Sequence, residues 1–172
     1  VVSTGKYFAP SLVADLKRSH PNIEIHLNIG NRDQTIASLR NNALDLAIMG
    51  RPASAPATHE IILGDHPHEI ILPPGHILAD RDNITPEEIV SHPIIRRETG
   101  SGTRILTTRY LDRIAPGIPY TSMDVDSNET IKQAVIAGLG IALISAHTVT
   151  QELKSGRLIM LRRPDLPIMR KW

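Results

Sequence analysis

The segment Glu98-Thr99-Gly100-Ser101-Gly102-Thr103-Arg104 has the composition of an anion-binding helix start. Its two glycines let the backbone approach a ligand closely. Ser101 and Thr103 add hydroxyls, and Ile105, Leu106 and Leu111 mark a helix behind them. The free N–H groups and positive dipole end of such a helix favour a carboxylate or phosphate. Arg104 can add a forked pair of charge-assisted hydrogen bonds. Taken alone, the same residues also describe an ordinary capped helix after a glycine turn.

Four further loops share this character. Ser3-Thr4-Gly5-Lys6 leads into the first helix, Gly30-Asn31-Arg32 into the second, and Gly50-Arg51 follows a short apolar run. Ser127-Asn128-Glu129-Thr130 opens a later helix. Together they nominate Ser3, Thr4, Lys6, Asn31, Arg32, Arg51, Glu98, Gly100, Ser101, Thr103, Arg104, Asn128, Glu129 and Thr130 as contacts for a small anionic ligand.

Other chemistries are less well supported. His66 and His68 stand two apart in Asp65-His66-Pro67-His68-Glu69, so on a strand both would point to one face, but no third ligand lies at a usual metal-site spacing. Ser101, His147 and Asp126 could be drawn as a nucleophile set, yet no G-x-S-x-G elbow accompanies them. No metal, no catalytic residue and no cofactor is therefore expected, and the chain is not expected to be an enzyme. Arg96, Arg97, Arg104, Arg109 and Arg113 are rich in charge, but Arg109 and Arg113 sit at i, i+4 beside Asp112 and read as a solvated helix face.

The elements that must hold these loops alternate between strand and helix. Phe8, Leu12 and Leu16 recur every four residues, as on an amphipathic helix. Ile23, Ile25, Leu27 and Ile29 recur every two, as on a half-buried strand. A helix over 32–43 and a strand over 46–49 follow, an order that implies a parallel sheet with helices on its faces. Strands are expected at 61–63, 68–72, 93–96, 120–125, 140–145 and 157–161, and helices at 101–114, 127–137 and 148–153. Thr85-Pro86-Glu87-Glu88 carries a full helix-start signature: a Thr cap, Pro at the first position and Glu at the box position. The breaks at Pro73-Pro74-Gly75 and Ser145-Ala146 predict two crossings between lobes, dividing the chain into lobe I (1–73), lobe II (74–145) and a return to lobe I (146–172). A cleft between two such α/β lobes is where small ligands bind.

Composition narrows the partners. A formal net charge of +1 provides no global field for DNA. The five aromatics (Tyr7, Phe8, Tyr110, Tyr120, Trp172) are too few for a base-stacking surface. The absence of cysteine fits a reducing compartment. No apolar run reaches membrane-spanning length, and no export signal is present, so a cytoplasmic location without membrane contact is expected. The strand-like ends, Val1-Val2 and Arg170-Lys171-Trp172, look cut, as though flanks held another domain.

The assembled segments resemble the effector-binding domain of LysR-type transcriptional regulators, in particular the branch that controls Calvin-cycle (RuBisCO) operons. The resemblance rests on Val2-Ser3-Thr4-Gly5-Lys6-Tyr7-Phe8-Ala9-Pro10, on Asp45-Leu46-Ala47-Ile48-Met49-Gly50-Arg51-Pro52, on 98–104, and on Ser127-Asn128-Glu129-Thr130-Ile131-Lys132-Gln133-Ala134-Val135 with its continuation through 138–149. It implies an α/β fold of two Rossmann-like lobes with a central cleft, periplasmic-binding-protein-like (type 2). It further implies an N-terminal winged helix-turn-helix that is not in this chain, so promoter DNA would be reached only through that domain. The implied effector is an anionic metabolite such as ribulose 1,5-bisphosphate, a phosphoglycerate, phosphoenolpyruvate or NADPH. Self-association as a dimer, tetrameric in the full-length regulator, is implied as well. A transport-type solute-binding protein for a small anion shares the two-lobed fold and is the rival reading.

Overall fold

A computed structural model describes residues 6–51 and 54–172 of the chain. Helix α1 (Ala9–Ser19) begins with Pro at its first turn and ends on Lys17 and Arg18, which suit the negative end of the helix dipole. Its Phe8, Leu12 and Leu16 form the expected four-residue stripe, and all three are exposed. Helix α2 (Arg32–Arg40) opens with a reciprocal cap: Gln34 N–H donates to Asn31 Oδ1 (3.0 Å) and Asn31 N–H to Gln34 Oε1 (2.9 Å). Residues 23–29 and 46–49, expected as strands, are not in strand conformation. The strand expected at Val1-Val2 lies outside the described residues.

The remainder builds a four-stranded sheet and a two-stranded one, linked by a single bridge and packed with helices on both faces. Strand β1 (Asp65–Leu72) runs through the middle of the larger sheet. Next come helix α3 (Pro86–Val90), strand β2 (Ile94–Arg97), helix α4 (Gly102–Ile114), strand β3 (Ser122–Val125), helix α5 (Asn128–Ile136) and strand β4 (Ala142–Ser145). A 3-10 turn (Ala146–Thr148), helix α6 (Thr150–Lys154) and strands β5 (Ile159–Met160) and β6 (Ile168–Lys171) complete the fold. The Thr85 cap of α3 forms as the sequence predicts, with Glu88 N–H donating to Thr85 Oγ1 and Thr85 N–H to Glu88 Oε2.

Strand β1 pairs antiparallel with β4 on one side and with β5 and β6 on the other. Strands β2 and β3 are parallel, and β2 joins β4 through the Ile94–Ile141 bridge. The larger sheet is thus antiparallel and only the smaller one parallel, where strand–helix alternation predicts a parallel sheet. Consecutive apolar residues fill opposite faces, as the two-residue strand repeat requires. Ile70, Leu72, Ile94 and Leu143 pack with Tyr110 and Leu111 of α4. Ile71, Ile95, Ala142 and Ile144 pack with Ile131 and Val135 of α5.

The segment 146–172, expected to return to lobe I, shares these same two cores. Val149, Leu153 and Leu158 join the α5 side, and Leu161, Leu166 and Ile168 join the α4 side. The reason is backbone pairing: β5 and β6 take up the free edge of β1, and their apolar residues are drawn in with it. Arg170 and Lys171 of the strand-like end read at Arg170-Lys171-Trp172 belong to β6, which starts earlier, at Ile168, directly after Pro167. Among the described residues no helix is long and apolar enough to cross a membrane.

Candidate functional site

A cavity of about 630 Å³ opens where the loops of the first fifty residues meet the ends of β1, β6 and α4. Of the residues nominated above, Asn31, Arg32, Arg51, Ser101 and Thr103 line it, together with Gly50 and with Gly102 at the start of α4. Ser101 caps α4 by position, yet its hydroxyl makes no capping hydrogen bond, although the residue is buried. That leaves a hydroxyl and the helix-start amides available to a ligand oxygen.

Gly100 holds the two parts of the site together. Its φ of 88° lies in the left-handed region, and a Cβ there would meet Asp33 Oδ2 at 3.2 Å and Asn31 Nδ2 at 3.3 Å. The Asp33 N–H donates to its carbonyl (3.2 Å), tying α2 to the loop before α4.

The other nominated residues serve the cavity from behind or stand apart from it. Glu98 accepts two hydrogen bonds from Arg97, at 2.7 and 3.0 Å, and one from Asn31 at 3.2 Å. Asn128 is buried and accepts from Arg97 Nη1 at 2.7 Å. Arg104 does not line the cavity: its guanidinium is engaged by Asp124 and the Arg97 carbonyl. Glu129 pairs with Lys132 at 2.9 Å, and Thr130 closes the Ser127 cap of α5. Lys6 is exposed and away from the lining. Ser3 and Thr4 lie outside the described residues.

Several residues that line the cavity were missed. Arg97, Arg109, Arg170, His66, His68, Glu60 and Trp172 all contribute to it. Arg109 belongs to a stripe of Gly102, Ile105, Leu106 and Arg109 on one side of α4, a period-3.6 signal that could have found it. It faces the cavity and not solvent alone, whereas Arg113 turns to Asp165 at 3.4 Å. His147 interacts through Nε2 with the Asp65 carbonyl (3.1 Å), so the Ser101–His147 pairing considered from sequence does not form.

The electrostatics of the lining are one-sided. Five arginines (Arg32, Arg51, Arg97, Arg109, Arg170) face one carboxylate, Glu60. Arg32 lies 3.6 Å from Asp33, and Arg97 is committed to Glu98. Among the described residues Arg51, Arg109 and Arg170 have no carboxylate partner. Three cations left unpaired around one concavity attract an anion.

His66 and His68 form the floor, their ring centroids 4.2 Å apart, and Trp172 stacks on His66 at 3.4 Å. Burial, with repulsion from neighbouring imidazoles and Arg170, holds both pKa values far below the ordinary 6.5, that of His68 at about 4. Both rings are therefore neutral in the native state near pH 7. The unfolded chain binds these protons below about 6.5 and the native chain does not, so stability falls with acid. Urea melts should show a loss on the order of 1 kcal/mol per histidine between pH 7.5 and 5.5. A His68→Gln variant should show a shallower pH dependence, and an unchanged slope would contradict the assignment.

The LysR substrate binding domain family matches residues 1–172 of this chain. The HTH-type transcriptional regulator CbbR of Cereibacter sphaeroides is 49% identical over 172 residues, which are all of this chain and 56% of that protein. The HTH-type transcriptional regulator CfxR of Cupriavidus necator is 39% identical, over all of this chain and 54% of its own. The chain thus spans about half the length of the curated relatives it matches. Among solved structures, the CcmR regulatory domain of Synechocystis PCC6803 in complex with 2-PG superposes with a TM-score of 0.91 at 32% identity, covering 99% of this chain and 82% of that one. The effector binding domain of QuiR in complex with shikimate, at 21% identity and a TM-score of 0.81, covers 98% and 80% and shares the fold.

Proposed function

This chain belongs to the LysR substrate-binding domain family, and we propose that it is the sensing domain of a CbbR-type regulator of carbon-fixation genes, responding to a small phosphorylated anion held in the cavity. The observation that carries the reading is the convergence of Arg51, Arg109 and Arg170, without carboxylate partners, on the open start of α4. The 2-PG bound by the CcmR domain supports an effector of this class. Arg51, Arg109 and Arg170 supply charge, and Ser101, Thr103 and the α4 amides supply direction. DNA binding belongs, on this reading, to the portion of such regulators that the matched region does not span. For occupancy to be signalled, the ligand must bind two arrangements of the domain with different affinity, since equal affinity shifts nothing.

Calorimetry with phosphoenolpyruvate tests the reading. Arg170→Ala should weaken binding by about 2 kcal/mol or more, roughly 30-fold, because it removes a charged partner from a desolvated anion. Arg113→Ala also removes one positive charge, from the side of α4 that meets Asp165, and should leave affinity unchanged. Equal effects of the two substitutions would reduce the cavity to a general electrostatic contribution and defeat the proposal.

We also assign the domain a two-fold dimer in which α1 meets the α5 region of a second copy. Ile131 and Val135 of α5 are fully buried in the core, so the apolar contribution falls to the exposed Leu12 and Leu16. Leu12→Asp should halve the mass seen by light scattering without changing far-UV circular dichroism. A wild-type chain that is monomeric at high concentration would refute this assignment.

A further inference from the structure

One edge of β1 carries two short ladders with a gap between them. His68 pairs with Ile168 of β6 and Ile71 with Met160 of β5. Leu161 N–H still donates to the Ile70 carbonyl at 2.8 Å, and the chain from 162 to 167 then leaves the ladder. Glu69 stands at that gap, at the head of the apolar run Ile70-Ile71-Leu72. The departing loop is braced: Arg163 donates through Nε to Asp165 Oδ1 at 2.7 Å and through Nη1 to the Ile84 carbonyl at 2.9 Å. Leu161 and Leu166 root it in the α4-side core. Between loop and strand lies an open cavity of about 450 Å³, whose lining includes Glu69, Met160, Leu161, Pro164 and Leu166. It shares no lining residue with the anion cavity.

Glu69 is only 9% exposed, and among the described residues its carboxylate has neither a hydrogen bond nor an ion pair. Burial pushes its carboxyl above the ordinary carboxylate range, and no neighbouring charge contributes to that shift. Arg162 and Arg163 line the same cavity and therefore do not act as its counter-ions. Arg163 is committed to Asp165, and Arg162 is exposed. The Glu69 oxygens nonetheless open onto the cavity, in contrast to Tyr110 Oη and Glu152 Oε2, which also lack partners but are sealed from solvent. A carboxylate held this deep without a cation destabilises the fold, and a bound cation would offset that loss.

The lining specifies the kind of cation. Among the described residues no group of three acidic or imidazole side chains converges, so a metal ion would lack ligands. An ammonium needs one good acceptor, and the apolar side chains beside Glu69 suit a few carbons attached to it. We propose that this cavity is a second ligand site, which holds the ammonium group of a small organic amine on Glu69 with its carbon chain against Met160, Leu161 and Leu166. The proposal is independent of the anion-binding reading, since the two cavities have no residue in common.

The probe is n-propylammonium chloride, with 1-propanol as its uncharged counterpart and sodium chloride at equal ionic strength as the control. In nitrogen-15 correlation spectra the amides of Glu69, Met160, Leu161 and Leu166 should shift saturably with millimolar propylammonium, and with neither of the other two. The carboxyl carbon of Glu69 should titrate at lower pH when the amine is present, because a cation favours the ionised form. Glu69→Gln keeps the shape of the side chain and should weaken the amine by about tenfold or more, the effect of losing a charge-assisted hydrogen bond. Its urea midpoint should be no lower than that of the wild type, because an unpaired buried charge has gone. No saturable shift with propylammonium, an equal response to 1-propanol, or unchanged amine affinity in Glu69→Gln would overturn the proposal. A less stable Glu69→Gln would do the same, by showing that the carboxylate already serves the fold. Arg162→Ala should leave amine affinity within about twofold. A marked gain there would make Arg162 the partner of Glu69 in solution and defeat the site. Phosphoenolpyruvate affinity should be equal in Glu69→Gln and the wild type, and its loss in the variant would overturn the separation of the two cavities.

Discussion

Replacing Arg97 with methionine is expected to cost the domain about 3 kcal/mol of stability and to weaken effector binding together with it. The guanidinium is 2% exposed and is held by both oxygens of Glu98 and by Asn128 Oδ1. Methionine preserves much of the packing of the stem, so the loss reports the polar contacts. Glu98 is then left without its counter-charge, and because its side chain is 27% exposed the cost sits at the low end for a broken buried pair. Binding suffers because Glu98 also holds Asn31, which caps α2 at the cavity edge. Urea denaturation and calorimetry on Arg97→Met and Glu98→Gln, singly and together, measure this. The double variant should lose much less than the sum of the two, as contacting residues do. Additive losses, or a wild-type-like melt for Arg97→Met, would show that the pair does not brace the site.

An alanine at Gly140 should be at least as damaging, by more than about 3 kcal/mol. Its φ is 159°, and a Cβ would lie 2.2 Å from the Pro93 carbonyl oxygen and 3.0 Å from the Pro93 carbonyl carbon. Both are main-chain atoms, so no rotamer change relieves the overlap. The same carbonyl accepts from Ile141 N–H at 2.9 Å, and Ile95 N–H donates to Ile141 O at 2.8 Å. Those bonds join β2 to β4, so the substitution loosens the β2–β3 sheet, along with Arg97 at the end of β2. Gly138→Ala is the control: its φ is 78° but nothing stands within 4 Å, so only the backbone penalty of about 1–2 kcal/mol remains. Equal denaturation midpoints for the two variants would contradict the steric argument.

The sequence alone determined those features that are written locally. The Thr85-Pro86-Glu88 start of α3, the Ser127 cap of α5 and the glycine-rich start of α4 are each set by neighbours within four residues, and each helix begins where the residues place it. The two-sided core was legible too, because Ile70-Ile71-Leu72 and Ala142-Leu143-Ile144 are unbroken apolar runs, as strands covered on both faces require. Tertiary structure alone decided how charges were distributed once distant segments met. Arg97 and Arg104 look alike in sequence, yet Arg97 lines the cavity while Arg104 is taken up by Asp124, twenty residues away. Arg109 and Arg113 share a helix and a spacing, but only Arg113 meets the carboxylate of Asp165. Arg170 and Trp172 entered the site because β6 pairs with β1, an edge contact between residues a hundred positions apart that no local pattern records. A side chain's type fixes what it can bind. Whether it remains free to bind is fixed by which partner the fold delivers first, and for a charged group that is decided across the whole chain.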